Sequence, residues 1–259
     1  MRDSVSLTPW LRRYGPVRNS ARVICFPHAG GTASYFRPWR AELPADVDLL
    51  AVQYPGREER LDEPPARTVD ALAAAITAEA AELCTVPTVL FGHSMGAAVA
   101  HEVALRLEAD GRRLAGLVVS GRPGPGALRN TARHRLDDAA LAAEIAGLGG
   151  TNRAVLANPA LRGLLVPIVR TDLMIIETYR PPVPTPPLRT SVSAVVGDRD
   201  TEVTPDEAGA WRETTTGGFR LGVVAGAHFY LTDDRDTVLG EILRRLGRTQ
   251  APPAWPPTP

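Results

Sequence analysis

Residues 88–98 of the chain read TVLFGHSMGAA, and the prediction of the fold rests on this stretch. The apolar run 88–91 has the length and composition of a buried β-strand, and the residues from Ala97 onward continue into a helical pattern. Residues 92–96 between them form a G-x-S-x-G pattern. A tight turn from strand to helix needs small residues beside the serine, because bulky ones would clash with both elements. The pattern predicts that Ser94 is an exposed nucleophile; the alternative is an ordinary strand-to-helix turn.

Short apolar runs rich in β-branched residues alternate with longer helical patterns along most of the chain. This alternation favours a mostly parallel sheet whose strands are connected by crossover helices. Thr68 is a predicted N-cap, and Gly111 and Gly247 are predicted C-terminal caps. The predicted strands are 22–26, 48–53, 88–91, 115–120, 190–196 and 220–224, and the predicted helices are 68–83, 95–109 and 236–246.

The alternation breaks at about residues 122–187, which contain no good strand. Two apolar helical patterns lie there, at 136–148 and 159–179, with Asp137 and Asn158 as predicted N-caps. We call these residues the lid segment and interpret them as a helical lid inserted into the sheet domain. A packed helical excursion without a gating role is the alternative.

The composition is that of an ordinary globular protein, with 44% hydrophobic and 22% charged residues among 259. We expect a single domain over residues 1–250. The last residues, 251–259, are dense in proline and are predicted to be a disordered tail.

The charge balance argues against two classes of partner. Lys and Arg (29) equal Asp and Glu (29), which gives no support to binding of nucleic acid or of an anionic membrane. Two cysteines are too few for a disulfide framework. We find no signal peptide and no apolar stretch long enough to span a membrane, so a cytoplasmic protein is expected. A monomer is the default expectation.

A serine hydroxyl is a weak nucleophile near neutral pH and needs an adjacent base. His228 follows the apolar run 220–224, in a loop that can reach the carboxyl edge of the sheet, where Ser94 is expected. His134 lies in an Arg-rich stretch and is interpreted as a solvated loop histidine. His101 lies two helical turns after Ser94 and is expected to pack or to be exposed. His228 is therefore the predicted base.

The acid that orients His228 should lie after an earlier strand. The apolar run 190–196 ends in Gly197-Asp198-Arg199-Asp200, so two carboxylates are candidates. Asp200 is predicted to be the acid, because the loop must turn before a carboxylate can face the histidine. Asp198 is interpreted as a turn former.

Two backbone N–H groups are expected to stabilise the oxyanion of acyl transfer. Met95 supplies the first, since it begins the helix after Ser94. Residues 26–31 (FPHAGG) follow an early strand, and their paired glycines let the backbone approach a ligand, so the Ala29 N–H is the predicted second donor. His28 is interpreted as a side chain that holds this loop in place. Serine, acid and histidine in this chain order predict an α/β-hydrolase fold.

Six stretches form a more specific pattern than G-x-S-x-G alone. They are CFPHAGG at 25–31, YPGR at 54–57, FGHSMG at 91–96, GDRD at 197–200, AWRETT at 210–215 and GAHF at 226–229. With these stretches the chain resembles, over roughly residues 10–247, the type II thioesterases that accompany modular polyketide synthases and nonribosomal peptide synthetases.

The resemblance implies hydrolysis of unproductive acyl groups from the phosphopantetheine arm of acyl or peptidyl carrier proteins, through an acyl-serine intermediate. It maps Ser94, Asp200 and His228 onto the family triad, and Ala29 and Met95 onto the oxyanion hole. No metal or organic cofactor is implied. The alternatives are a general carboxylesterase or lipase, a product-releasing thioesterase, and a binding protein without activity.

Several arginines have a functional and a structural interpretation. Arg57 is a candidate contact for the phosphopantetheine phosphate, but a structural role in the turn at 55–57 is favoured. Arg12, Arg13 and Arg18 are candidate contacts for an acidic carrier protein, against the alternative of ordinary solvated side chains.

Overall fold

The computed structural model describes residues 4–17, 20–148, 156–182 and 184–248, and the tail predicted at 251–259 lies outside them. The strands are β1 Ser4–Ser6, β2 Leu11–Tyr14, β3 Ala21–Phe26, β4 Val47–Val52, β5 Thr88–His93, β6 Gly116–Ser120, β7 Val192–Gly197 and β8 Phe219–Val224. They form one sheet in the order β1-β2-β4-β3-β5-β6-β7-β8. The pairs from β4 to β8 are parallel, and β1 and β2 are antiparallel to their neighbours.

The described α-helices flank this sheet, and three predicted N-caps hold their first turns. The side chain of Thr68 accepts a hydrogen bond from the Ala71 N–H at 3.0 Å, and Asp137 accepts one from Ala140 at 2.8 Å. Asn158 does the same for the helix that starts at Pro159. The helices are α1 Val69–Ala80, α2 Met95–Ala109, α3 Asp138–Gly147, α4 Pro159–Thr178, α5 Pro205–Gly209 and α6 Asp236–Arg245.

The core lies on both faces of the sheet. All six residues of β5 are buried, and successive side chains point to opposite faces. Leu90 packs in a cluster with residues of α1 and α2, whereas Val89 and Phe91 pack in a second cluster with Trp39 and residues of α6. Because helices cover both faces, β5 needs a continuous apolar run rather than an alternating one. Ser94, which follows β5, is therefore held by the centre of the sheet.

The lid segment lies between β6 and β7, as predicted, and carries α3 and α4. Its buried residues form a third, separate cluster that includes Leu141, Ile145 and Val169. The C-terminal part of α4 reaches the main core, where Ile175 and Ile176 are buried. The helices of the lid segment therefore have a small core of their own, and α4 also packs against the sheet domain.

The structure corrects one prediction about the N-terminal arginines. Residues 4–14 contain two short strands that were not predicted, and Arg12 and Arg13 lie on β2. The Arg12 guanidinium pairs with Glu59, and Arg13 donates to both oxygens of buried Asp48 at 3.0 and 3.1 Å. These charges have partners within the chain and both side chains are largely buried, so the interpretation of ordinary solvated arginines is wrong for both. A contact with a carrier protein stays a prediction, and Arg18 lies outside the described residues. Within the described ranges, no helix combines the length and apolar composition needed to cross a membrane.

Candidate active site

Ser94 lies on the turn between β5 and α2 with a backbone that few residues other than glycine adopt. Its φ is 54° and its ψ is −117°, and its N–H donates to the Ser120 carbonyl at 2.8 Å. A Cβ atom on Gly92 would lie 2.2 Å from the Gly96 carbonyl oxygen, and one on Gly96 would lie 2.1 Å from that of Phe26. Both glycines are required because the turn packs against itself and against β3. Strained backbone of this kind is a feature of functional sites.

His228 and Asp200 lie in the loops after β8 and β7, next to each other in space. The His228 Nδ1 atom lies 2.9 Å from Asp200 Oδ2 and 3.1 Å from Oδ1. The second candidate acid, Asp198, instead accepts a hydrogen bond from the Gly226 N–H at 2.8 Å and is half exposed. Asp200 is therefore the carboxylate that the structure brings to the histidine, and Nε2 is the ring nitrogen left for a substrate or nucleophile.

One pocket at the carboxyl edge of the sheet brings the predicted residues together. Ser94, His228 and Ala29 all line it. Its apolar wall comes from the lid segment, with Leu141, Ile145, Leu148, Val169, Leu173 and Ile176. The pocket therefore combines the candidate chemistry of the sheet domain with an apolar surface contributed by α3, α4 and the residue after α3.

The predicted oxyanion donors are the backbone N–H groups of Met95 and Ala29, of which Ala29 lines the pocket. Met95 begins α2, so its N–H is among those that have no partner within the helix. Ala29 lies in the loop after β3, where the Gly31 N–H donates to the His28 carbonyl at 2.9 Å. Met95 follows Ser94 directly in the chain, and Ala29 lines the same pocket as Ser94, so the assignment of both as oxyanion donors stays a prediction.

A layer of buried aromatic and histidine rings lies beneath His228. The His93 ring centroid lies 5.0 Å from that of His228, and His93 Nδ1 lies 2.9 Å from the Ser120 hydroxyl, which in turn contacts the Tyr230 hydroxyl at 2.7 Å. Burial, and then the nearby His228 and His28 rings, hold the pKa of His93 well below its usual value of 6.5. His93 is therefore a neutral support for His228 at physiological pH.

His28 packs in the same layer. Its ring makes edge contacts with Tyr35 at 5.0 Å and Phe229 at 4.9 Å between centroids. Burial lowers the pKa of His28 to about 3, and the positive charges of His228 and Arg57 add to this shift. The structure agrees with the interpretation of His28 as a side chain that holds its loop.

The remaining histidines lie apart from this layer. His134 was predicted to be solvated, but its ring nitrogen contacts Glu177 of α4 at 2.5 Å and its side chain is only 16% exposed, so that prediction is wrong. Burial raises the pKa of Glu177, but hydrogen bonds from His134, Thr131 and the backbone outweigh it, so the net pKa is lowered. His101 is buried against Trp211, and burial lowers its pKa to about 4.

Polar residues of the lid segment were not predicted as part of the site. Arg122 and Arg133 both line the pocket. Arg133 pairs with Glu202, whereas burial lowers the pKa of Arg122 to about 10 and Tyr179 opposes this shift. Both guanidiniums remain charged near pH 7. Among the described residues, no group of three or more His, Cys, Asp or Glu could hold a metal ion.

Arg57 is buried and bidentate to Asp172 of α4, with distances of 2.7 and 2.8 Å. Its guanidinium therefore already has an anionic partner, which agrees with a structural role and not with a free phosphate contact. Asp172 does not lie in any of the sequence motifs described above. The two residues are 115 positions apart, so neither spacing nor periodicity could have indicated the pair.

Comparison with known proteins assigns the chain to a family. The pattern described as "Thioesterase domain" matches residues 21–246. Thioesterase PikA5 of Streptomyces venezuelae is 41% identical over 261 residues, covering 96% of this chain and 91% of that protein. A probable cadicidin biosynthesis thioesterase of Streptomyces griseus is 42% identical over 246 residues, covering 95% of this chain and 68% of that protein. The solved type II thioesterase BorB, from the borrelidin biosynthetic cluster, superposes with a TM-score of 0.87 at 41% identity, covering 93% of this chain and 99% of BorB. The chain has the α/β-hydrolase fold and belongs to the thioesterase domain family.

Proposed function

We propose that this chain is a type II thioesterase that hydrolyses stalled or aberrant acyl groups from the phosphopantetheine arm of acyl or peptidyl carrier proteins. The supporting observation is the pocket itself, in which a serine on a strained turn and an aspartate-bound histidine share an apolar wall. The similar proteins add support. PikA5 and BorB are both named as thioesterases, and BorB comes from a biosynthetic cluster. Polyketide or nonribosomal peptide biosynthesis is the proposed setting.

Acylation begins with proton transfer from the Ser94 hydroxyl to Nε2 of His228. Because Nδ1–H donates to Asp200, the neutral ring carries its lone pair on Nε2 and can accept this proton. Ser94 Oγ then bonds to the thioester carbonyl carbon and the carbonyl π electrons move to oxygen. The oxyanion electrons re-form the carbonyl as the C–S bond breaks, and the sulfur takes the proton from His228. The phosphopantetheine thiol departs, and an acyl-Ser94 ester remains.

The oxyanion is stabilised by the N–H groups of Met95 and Ala29. One such donor contributes about 3 kcal/mol of transition-state stabilisation in other serine hydrolases. Deacylation repeats the sequence with water: His228 takes a proton from water, the hydroxide oxygen bonds to the acyl carbon, and the Ser94 Oγ–C bond breaks with return of the proton. The acid is released and the enzyme is restored.

The lid segment is proposed to form the acyl chamber, since it supplies the apolar wall of the pocket. Burial of acyl methylene groups against this wall would contribute about 0.8 kcal/mol for each. The carrier arm is proposed to enter beside the lid. Three further features remain predictions: a gating role of the lid segment, a monomeric state and a cytoplasmic location.

The test compares one short acyl group on three leaving groups: a phosphopantetheinylated carrier protein, N-acetylcysteamine and a simple alcohol. Wild type and Ser94→Ala are measured side by side. We expect fast hydrolysis from the carrier protein, slower hydrolysis from N-acetylcysteamine and the slowest from the oxyester. Ser94→Ala should lower the rate by about 10⁴- to 10⁶-fold and should form no acyl-enzyme detectable by intact mass.

Other outcomes identify the alternatives. Equal or faster hydrolysis of the oxyester, with no gain from the carrier protein, would indicate a general carboxylesterase. Preference for a full-length product chain, released by an internal nucleophile, would indicate a product-releasing thioesterase. An acyl adduct on the Ser94→Ala protein would contradict the assignment of the nucleophile.

A further inference from the structure

The direction of the Ala29 N–H is fixed by the loop that contains it. A peptide unit is planar, so the carbonyl of His28 and the N–H of Ala29 belong to one rigid group and point in opposite directions. The His28 carbonyl accepts a hydrogen bond from the Gly31 N–H at 2.9 Å. Whatever holds Gly30 and Gly31 therefore also determines where the Ala29 N–H points.

Two buried, charged side chains hold these glycines. Asp172 Oδ2 accepts a hydrogen bond from the Gly30 N–H at 2.7 Å. Arg57 donates to the Gly31 carbonyl at 3.1 Å and to both oxygens of Asp172 at 2.7 and 2.8 Å. Asp172 is 2% exposed and Arg57 is 4% exposed, so water does not compete for these bonds. The two residues and the loop form one closed hydrogen-bond network.

Packing of α4 against the loop leaves little freedom at the same place. Gly30 has φ +77°, and a Cβ atom on it would lie 2.4 Å from the Cγ2 atom of Val169, one helical turn before Asp172. The helix therefore contacts the loop directly, and its carboxylate reaches the next backbone N–H after Ala29. A shift of α4 away from the sheet would withdraw Asp172 from Gly30.

We propose that Asp172 and Arg57 are positioning residues for the oxyanion hole, so that α4 of the lid segment completes the site by holding the Ala29 N–H. The inference rests on the proposed function, because it requires that the Ala29 N–H is the second donor of the oxyanion hole. It assigns the lid segment a part in catalysis beyond shaping the acyl chamber. The pair acts on the transition state, because the oxyanion forms only there.

The principal variant is Asp172→Asn, which keeps the shape of the side chain, removes its charge and places an amide NH2 group against a donor of Arg57 or against the donors of both Arg57 and Gly30. We expect kcat/KM to fall by about 100-fold with little change in KM, as for a misplaced catalytic group. The inhibition constant of a trifluoromethyl ketone analogue, which forms a tetrahedral oxyanion, should rise in parallel. Arg57→Lys keeps the charge but loses the bidentate geometry, and should fall between wild type and Asp172→Asn.

Two further variants separate positioning from stability. Asp48→Asn is the matched control, because Asp48 is equally buried and is bound by Arg22 and Arg13 at the other end of the strands. It should lower stability and leave kcat and inhibitor affinity unchanged. The double variant Arg57→Met/Asp172→Leu removes both charges, and such replacements often preserve stability. It should fold and still lose kcat and inhibitor affinity.

The inference is overturned if the folded Asp172 variants keep the kcat and inhibitor affinity of wild type. Measurements with p-nitrophenyl acetate beside the thioester keep this result distinct from the substrate assignment, since both reactions pass through an oxyanion. Loss on both substrates supports the positioning role even if the carrier-bound thioester proves not to be the preferred substrate. If the Asp172 and Arg57 variants lose only stability, as is expected for Asp48→Asn, the role of this pair is structural.

Discussion

The backbone at Ser94 is left-handed because three segments meet there with no room for side chains. Gly92 and Gly96 would each bring a Cβ atom within 2.2 Å of a backbone oxygen. The cost of the conformation, of order 1–3 kcal/mol for such strain, is met by the surrounding sheet. The position of Ser94, the proposed nucleophile, therefore depends on two glycines that have no reactive side chain.

Gly96→Ala should lower both stability and activity. The added methyl group meets the Phe26 carbonyl, so β3 or α2 must shift, and we expect a loss of about 1–3 kcal/mol in the free energy of unfolding. Gly163→Ala is the control, because that glycine lies on an exposed turn of α4 with nothing within 4 Å of a Cβ atom. The control should lose no stability. Urea unfolding of both variants measures the difference, and equal stabilities would contradict the packing argument.

Asp200→Asn tests the acid at the same scale. An amide can donate to Nδ1 and so favours the wrong tautomer of His228, with an expected loss of about 10³- to 10⁴-fold in kcat. Asp198→Asn is matched to it, because the amide oxygen can still accept the hydrogen bond from Gly226. Its kcat should stay within about threefold of wild type, as for a residue outside the reaction. A larger loss for Asp198→Asn than for Asp200→Asn would reverse the assignment.

The sequence predicted the residues that lie in motifs and missed those defined by distant contacts. Ser94 and His228 follow buried strands in a fixed order, so their approach follows from the topology of a parallel sheet. Asp172 lies within an amphipathic helix and looks like any charged helical residue until the fold brings it to Arg57. His134 was misjudged for the same reason, because its partner Glu177 is 43 residues away.

Among the elements, α3 and α4 differ from the sheet in how they are stabilised. Leu141 belongs to the separate cluster of the lid segment, whereas Leu90 belongs to the main core, and both are fully buried. Elements with a small core of their own can open without global unfolding. Replacement of Leu141 and of Leu90 should therefore change the global free energy of unfolding by different amounts, although the two side chains are equally buried.

Leu90→Ala should destabilise the whole protein by about 2–5 kcal/mol. Leu141→Ala should cost much less in global unfolding and should increase amide hydrogen exchange within α3 and α4. Hydrogen-exchange mass spectrometry combined with urea unfolding distinguishes the two effects. If Leu141→Ala lowers the global midpoint as much as Leu90→Ala, the lid segment unfolds together with the sheet.

The elements at the first edge of the sheet show where prediction from the sequence failed. β1 and β2 are short and antiparallel, and β2 carries Arg12 and Arg13 in place of an apolar run. β2 pairs with both β1 and β4, and ion pairs with Glu59 and Asp48 satisfy the charges of its two arginines. The central strands are buried and had to be apolar, and both ends of each strand were predicted within two residues.

At the scale of the whole molecule, buried histidines make stability depend on pH. Burial holds the pKa of His28 at about 3 and of His101 at about 4, with His93 also well below 6.5. The unfolded chain takes up protons on these rings at about pH 6.5, before the folded protein does. The stability contributed by neutral His28 and His101 is therefore fully present above pH 6.5 and is lost as the pH falls towards 4, by about 1.4 kcal/mol per pH unit for each of these two rings; His93 acts in the same direction.

His101→Leu should reduce this dependence. His101 packs against Trp211, and its Nε2 has no hydrogen-bond partner among the described residues, so an apolar replacement is tolerated. The slope of unfolding free energy between pH 6 and 5 should decrease by about 1.4 kcal/mol per pH unit, with stability at pH 7.5 little changed. Urea unfolding at the three pH values measures the slope. An unchanged slope would mean that His101 is protonated in the folded state.

The insertion of the lid segment between β6 and β7 has a consequence for how such an enzyme can diversify. The apolar wall of the pocket is encoded by one uninterrupted stretch, while Ser94, Asp200 and His228 are encoded outside it. If the lid segment forms the acyl chamber as proposed, recombination of that single stretch between homologous genes would supply a new acyl preference and leave the proposed catalytic residues unchanged. If Asp172 holds the Ala29 N–H as proposed, its contact with Gly30 sets a condition on every such exchange: the incoming stretch must carry a carboxylate at that position.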